Sequence, residues 1–334
     1  MDLYDSLPKI DAHMHYNCAR PALLEQARSE GFRLLSINTE VPFFPLLKEQ
    51  EDFILDRERD EQKSIDYITT FSTDKWGTED WQEKALAQIK NGMEKGAVGV
   101  KFWKNIGMEL RDENGDFVMI DDPSFDPLFE YCEDKQVPVL GHLGEPKNCW
   151  LPVEEMTVNG DREYFAQHPE YHMYRHPEYP SYEEQIEARD RRLEKHPKLR
   201  FVGAHLASLE WSVDRIADWL DRFPNAAVDL AERVCHLQYQ AVRNWEKVHN
   251  FLVAYQDRII YGTDIIDDRG NPPEEIKKKI KEKWHMHWKF FSDRDTMSVP
   301  KVENSFRGLG MDEPVMKKIF RKNALKWYPR LDRD

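Results

Sequence analysis

The 334-residue sequence predicts an α/β fold, a (β/α)8 barrel, and three observations predict it. Eight short β-rich apolar runs follow one another along the chain. Segments with helical period separate them. Histidines or an aspartate stand at the ends of four of those runs.

The runs lie at residues 10–12, 34–37, 67–71, 97–102, 137–140, 201–204, 226–230 and 259–261. Several are continuously apolar rather than alternating, as parallel strands covered on both faces require. Residues 81–95 carry Trp81, Ala85, Leu86, Ile89 and Met93 at helical spacing, and 182–195 place Ile186 and Leu193 on one side of a charged helix. Residues 209–223, 242–255 and 312–327 follow the same plan. A doubly wound open sheet is the alternative, but neither a G-x-G-x-x-G nor a Walker pattern supports it. With no linker, low-complexity tract or internal repeat, residues 1–334 read as one domain. After the fifth run the chain continues from Gly144 to about Pro180 through Trp150, Tyr164, Phe165, Tyr171, Tyr174 and Tyr179. An insertion of that length leaving the C-terminal end of a barrel strand points to function.

Composition narrows the partners. Hydrophobic residues make up 40% of the chain, enough for a large core. Lys and Arg number 48 against 62 Asp and Glu, a formal charge of −14, which argues against nucleic acid or an anionic membrane as the main partner. A small, even carboxylated, substrate remains compatible, because a few buried cations override the overall field. Cys18, Cys132, Cys149 and Cys235 are widely spaced and read as reduced. The N-terminal Met1-Asp2-Leu3-Tyr4-Asp5 has no basic or apolar leader character, and no apolar run reaches the roughly 20 residues of a bilayer span. The expectation is a cytoplasmic protein; a homo-oligomer is compatible, since many barrels of this kind pair through their outer helices, but nothing in the sequence specifies one.

The chemistry concentrates at the strand ends. His13 and His15 end the first strand, two residues apart, so they face the same side of an extended chain. His142 ends the fifth, His205 the sixth and Asp264 the eighth. A barrel brings all five to one mouth. Neutral imidazoles with a carboxylate suit one divalent cation, Zn²⁺ first and Mn²⁺ second. A second H-x-H, His285-Met286-His287, lies in an expected helix, where residues two apart do not share a face, and reads as structural. His168, His172 and His176 have helical spacing, but Pro169 and Pro177 break a continuous helix, and a pocket-lining role suits them better than a metal site.

These residues carry a resemblance to the amidohydrolase superfamily, in particular to its amidohydrolase-related (type 2) branch of metal-dependent barrel hydrolases. It covers nearly the whole chain, from Asp11-Ala12-His13-Met14-His15 to Asn323-Ala324, and is most typical at 196–205 and 255–264. The resemblance implies His13, His15, His142 and Asp264 as metal ligands. It implies that His205 acts on water or substrate in one-metal members and binds a second ion in two-metal members. It also implies that Lys101, at the end of the fourth strand, is either a carbamylated bridge between two ions or a substrate-binding residue. An unmodified ammonium a few Å from a dication is repelled by several kcal/mol. Lys101 is therefore a carbamate, a neutral amine, or a cation turned toward a substrate carboxylate, and the one-metal, substrate-facing alternative is the usual state of this branch.

Arg233, following the seventh strand, can grip an anionic substrate or pair with Glu232 or a loop carboxylate. Glu145 can position a ligand or a substrate hydroxyl. The expected reaction is hydrolysis of an ester, lactone or amide in a small polar substrate, with Asp264 handling protons and His205 orienting the reacting group. Non-oxidative decarboxylation of an aromatic or unsaturated acid at the same site is the alternative.

Overall fold

The computed structural model describes residues 3–58 and 64–332. Met1 and Asp2 of the N-terminal stretch, residues 59–63 and the last two residues of the expected domain lie outside the described residues. The strands are β1 (Lys9–Tyr16), β2 (Phe32–Ile37), β3 (Ile65–Ile68), β4 (Val100–Phe102), β5 (Val139–Gly141), β6 (Phe201–Gly203), β7 (Ala226–Asp229), β8 (Ile259–Ile260) and a short β9 (Ile265–Asp267). Each of the eight expected runs falls on one of β1 to β8.

All pairs among these strands are parallel, in two arcs ordered β3-β2-β1-β9 and β4-β5-β6-β7-β8. The arcs join at both seams. Thr69, just past β3, bridges Val100, with Lys101 N–H donating to Thr69 O at 2.7 Å. Beyond β8, Tyr261 O accepts from Ala12 N at 2.9 Å. The hydrogen-bonded wall therefore runs around a full ring, the (β/α)8 barrel expected from the sequence.

Two apolar layers hold the ring. Ile10, Ala12, Leu35, Ile37, Ile68, Leu140, Val202, Ala227 and Ile260 fill the interior, while Leu34, Val139, Phe201, Val228 and Ile259 face the helices. In β1 the alternation changes phase. Ile10 and Ala12 point inward, yet Met14 and Tyr16 belong to the outer layer, and the register of β1 against β2 shifts between Asp11 and Met14. A bulge of this kind re-aims side chains. Here it turns His13 and His15 toward the mouth.

Four helices match the periodic segments: Trp81–Glu94, Tyr182–Lys195, Val213–Arg222 and Trp245–Ala254. The helix Tyr182–Lys195 starts at a capping box between Ser181 and Glu184. The last periodic segment is not one α-helix. Glu313–Lys317 and Asn323–Trp327 flank a π-turn at Lys318–Lys322. The wider turn lets Ile319 O accept from Tyr261 N at 3.0 Å, and Asn323 Nδ2 donates to Gln256 O and Ile259 O at 2.7 Å. The seam strand β8 is thus tied to the C-terminal segment, and Trp327, Tyr328 and Leu331 plug the lower end of the interior.

The insertion after β5 is ordered by its own small core of Met108, Cys149, Met156, Phe165 and Met173. It contains the helix Asn159–Gln167 and several 3-10 turns. All four cysteines are free and buried. Among the described residues no helix is long and apolar enough to cross a membrane.

Candidate metal centre

The C-terminal ends of β1, β5, β6 and β8 converge. His13 Nε2 lies 3.5 Å and His15 Nε2 3.4 Å from Asp264 Oδ1. The His205 ring is 5.0 Å from the ring of His13 and 4.2 Å from that of His142. Ligand atoms of His13, His205 and Asp264 all fall within 4.8 Å of one another, a group able to hold a metal ion. His15 and His142 complete the ring of donors, so the five residues singled out from the sequence share one mouth. Phe44, from the loop after β2, covers the His15 ring at 5.0 Å.

The outer nitrogens of three histidines are fixed. His13 Nδ1 is 2.7 Å from Asp229 Oδ2, His15 Nδ1 is 2.7 Å from Ile37 O, and His205 Nδ1 is 2.9 Å from Ala231 O. Each of these acceptors takes an N–H from Nδ1 and leaves Nε2 as a lone pair turned to the centre. Of these, His13 Nε2 is buried without a hydrogen-bond partner among the described residues, and so is Nε2 of His142. Buried orphaned acceptors are rare and call for an explanation. A divalent cation supplies one, because the donor set of imidazoles and a carboxylate fits it.

The ionisation states agree. Burial lowers the basicity of His15, takes His142 well below the usual imidazole range, and puts His205 at about 3. Burial alone would raise the Asp264 carboxyl, but His205, His15 and His13 outweigh it and hold it well below the usual carboxylate range. Neutral imidazoles and an ionised carboxylate are the forms that coordinate a cation.

Backbone geometry at the mouth is unusual. His205, Leu206, Ala207 and Ser208 form a left-handed turn with φ of 57, 57, 56 and 55°, and Asp264 and Glu232 have φ of 58 and 54°. For non-glycine residues this costs roughly 1–2 kcal/mol each. Neighbours over-determine the turn. His205 N donates to Asp229 Oδ1 at 2.8 Å, Ser208 Oγ to Gly144 O at 2.9 Å and Tyr182 Oη to Ser208 O at 2.5 Å, while Arg189 holds Ala207 O. Strain retained this way gathers where side chains must be aimed. The Asp264 backbone is pinned as well: Thr263 N and Oγ1 donate to Asp11 at 2.9 and 2.7 Å, and Asp264 N to His13 O at 2.7 Å.

Three cations stand close by. Lys101 is buried, and desolvation brings its ammonium down to about 8 against the pull of Asp229 and Asp264. Its charge is felt by His15 and His142. Arg233 acts on His142 and His205 in the same way. Glu232 is taken by Lys283 and Lys301, so the pairing of Arg233 with its neighbour does not form. Glu145 reaches Lys104, which was not singled out from the sequence, and forms an ion pair with it. Lys104 is also brought to about 8 by burial.

The remaining histidines stand outside the centre. His285 reaches Glu30 and His287 lies beside Tyr261, both in the helix Pro273–Ser292. His172 and His176 contact backbone carbonyls of the insertion through Nε2. Asp229 is the main residue that sequence reasoning passed over. Its position at the end of β7 in Asp229-Leu230-Ala231 was a usable signal, since buried carboxylates at barrel strand ends seldom lack a role.

Comparison with known proteins agrees with this architecture. The sequence profile of the family described as Amidohydrolase matches residues 76–330. An uncharacterized TIM-barrel protein from Bordetella bronchiseptica superposes with a TM-score of 0.53 at 15% identity, covering 96% of this chain and 98% of that one. For 2,6-dihydroxybenzoate decarboxylase from Rhizobium the TM-score is 0.53 at 13% identity, with 97% and 99% covered. D-hydantoinase from Thermus sp. gives 0.54 at 12%, covering 96% of this chain and 70% of that one. These similarities establish the TIM-barrel fold, and no curated protein matches the sequence. With three quarters of its length matched by the family profile and a cluster of histidines and an aspartate at the barrel mouth, this chain belongs to the amidohydrolase family.

Proposed function

We propose that the protein is a metal-dependent hydrolase that cleaves an ester, lactone or amide bond in a small polar substrate. One observation carries the reading: His13 Nε2, in a group with His205 and Asp264 able to hold a metal ion, is buried without a hydrogen-bond partner among the described residues, as is Nε2 of His142, whose ring lies 4.2 Å from that of His205. His13, His15, His142 and Asp264 would hold the cation, Zn²⁺ or Mn²⁺ by donor chemistry. When bound, such an ion supplies Lewis acidity and makes a hydroxide nucleophile available at neutral pH.

The chain's own groups do the rest. Asp264, held ionised, accepts a proton from the attacking water and returns it to the leaving group. His205, with Nδ1 turned to Ala231 O, points Nε2 at the reacting group and orients it. Lys101 and Arg233 offer positive charge to an anionic part of the substrate. Glu145 acts through Lys104, holding that ammonium at the rim. We assign residues 1–334 to one catalytic domain, working in the cytoplasm.

Non-oxidative decarboxylation is the second reading, and Lys101 favours it. Lys101 is buried within electrostatic reach of Asp229 and Asp264, where its cation suits a substrate carboxylate, and a decarboxylase is among the proteins sharing this fold. Assay of the purified protein on ester, lactone and amide panels, beside CO₂ release from hydroxybenzoates and unsaturated diacids, separates the two. The variant Asp264→Asn keeps the fold, because Asn tolerates the left-handed backbone at this position. It is expected to lose turnover by about 10²–10⁴-fold. Full activity in that variant would refute both readings.

A further inference from the structure

The loop between β2 and the helix Leu47–Glu58 carries apolar side chains that the proposed chemistry does not use. Phe44, half-buried, has its ring 5.0 Å from that of His15, at an interplanar angle of 59°. Phe43 stands edge-on to Phe44, with centroids 5.2 Å apart and planes at 90°. Phe43 and Leu46 are both 75% exposed. A row of rings therefore leads from a residue of the candidate metal centre out to solvent.

Single apolar residues on a surface are ordinary, and a loose loop would fold them back onto the molecule. This loop is pinned. Gln50, buried in the following helix, grips both of its ends: Oε1 accepts from Thr39 N at 3.0 Å, and Nε2 donates to Thr39 O at 2.9 Å and Pro45 O at 2.7 Å. Between them Val41 O accepts from Phe44 N at 2.9 Å, closing a turn with Pro42 at the position that suits its fixed φ. Glu40 ties the loop to the one after β3, accepting from Thr73 N at 2.9 Å and from the Ser72 hydroxyl. The turn thus holds Phe43 out in water and Phe44 against His15 at once. Apolar surface kept exposed beside a reaction site marks where a ligand completes the burial.

We propose that Phe44 and Phe43 form an aromatic track for an apolar group of the substrate, of phenyl size at Phe44 and longer where it continues onto Phe43. The polar, reacting end enters the centre, and the apolar group leaves the mouth along the two rings. Edge-to-face contact with Phe44 adds to what burial contributes. The substrate class is then an ester, lactone or amide with an aryl group next to its carbonyl. This rests on the reading of the neighbouring centre as the reaction site. Neither phenylalanine holds the metal or moves a proton, so the two claims fail separately.

The test is isothermal titration of the purified full-length protein, of measured metal content, with acetate, benzoate and biphenyl-4-carboxylate. Benzoate is expected to bind about tenfold more tightly than acetate, the worth of burying one ring face, and the biphenyl acid more tightly again. Phe44→Ala removes the gain of benzoate over acetate, and Phe44→Tyr, which keeps the ring, retains it. Phe43→Ala, at an exposed position, removes only the further gain of the biphenyl acid. All three variants keep the metal content and the acetate affinity of the parent. Benzoate that binds no more tightly than acetate, binding of none of the acids, or a preference that survives Phe44→Ala would overturn the proposal. A wild-type protein that holds no metal yet shows the Phe44-dependent preference would refute the reading of the centre and leave the track standing.

Discussion

Asp229 decides which nitrogen of His13 faces the centre. Its Oδ2 faces His13 Nδ1 at 2.7 Å, and its Oδ1 accepts from His205 N at 2.8 Å and Ala231 N at 3.1 Å. Both oxygens are committed as acceptors, so an amide cannot replace the carboxylate without turning an NH₂ toward a donor. Asp229→Asn is therefore expected to weaken metal binding about 10–100-fold while leaving every ligand in place. Competition with a chromogenic chelator measures this, and unchanged affinity would count against the assignment of His13. Another residue with a defined pH signature is Glu232. Although burial works against the charged form, Lys283 and Lys301 bring the carboxyl down to about 2. A depressed carboxyl contributes stability that is fully present above the unfolded value near 4.5 and is lost as pH falls through about 2. Glu232→Gln should melt lower than the parent at pH 7, and the gap should narrow as the pH is lowered toward 2. A constant gap across that range would contradict the pairing.

At the scale of elements, the left-handed turn after β6 makes a prediction opposite to the usual rule. Glycine in a helix interior costs about 1 kcal/mol relative to alanine. Ala188→Gly, in the helix Tyr182–Lys195, is expected to show that loss in urea unfolding. Ala207 has φ of 56°, where glycine carries no steric penalty. Ala207→Gly should therefore be neutral or stabilising, and a loss as large as that at Ala188 would show that the turn is not left-handed in solution. Close approach limits the neighbouring seam: a Cβ on Gly262 would lie 2.8 Å from His13 Cβ. Gly262→Ala thus pushes β8 off β1, and it should lower metal affinity and stability together. The elements also show what was legible beforehand. Strands read well because burial on both faces leaves continuous apolar runs, and the placement of His13, His15, His142, His205 and Asp264 at the barrel mouth was legible because they end those runs. The bulge in β1 and the left-handed turn did not read, because no glycine or proline marks either. The turn is imposed by tertiary partners such as Tyr182, Arg189 and Asp229. The π-turn at Lys318–Lys322 was hidden for the same reason, since its cause is the donor of Tyr261 more than fifty residues earlier.

On the scale of the whole molecule, the ring closes at each seam through a few backbone hydrogen bonds, and the metal-site residues sit across one of them. His13 lies on β1 and Asp264 just beyond β8, so an ion held by both ties the barrel shut. Binding to the folded state alone stabilises it by about 2.7 kcal/mol at a hundredfold excess over the dissociation constant. Dialysis against a chelator should accordingly lower Tm by several degrees, and restoring the ion should recover it. The single-domain proposal adds that melting is one transition, both with and without the ion. Two separated transitions in calorimetry would divide the chain and contradict that assignment.

The central claim is that His13, His15, His142 and Asp264 hold a divalent cation, and metal content per chain tests it most directly. Protein purified without chelators and analysed by plasma mass spectrometry should carry about one Zn²⁺ or Mn²⁺ per chain. The variant His13→Ala should carry markedly less. About two ions per chain would keep the centre but make Lys101 a bridging carbamate rather than a substrate-binding cation. A wild-type protein that holds no metal, and takes up none on incubation with Zn²⁺ or Mn²⁺, would contradict the account.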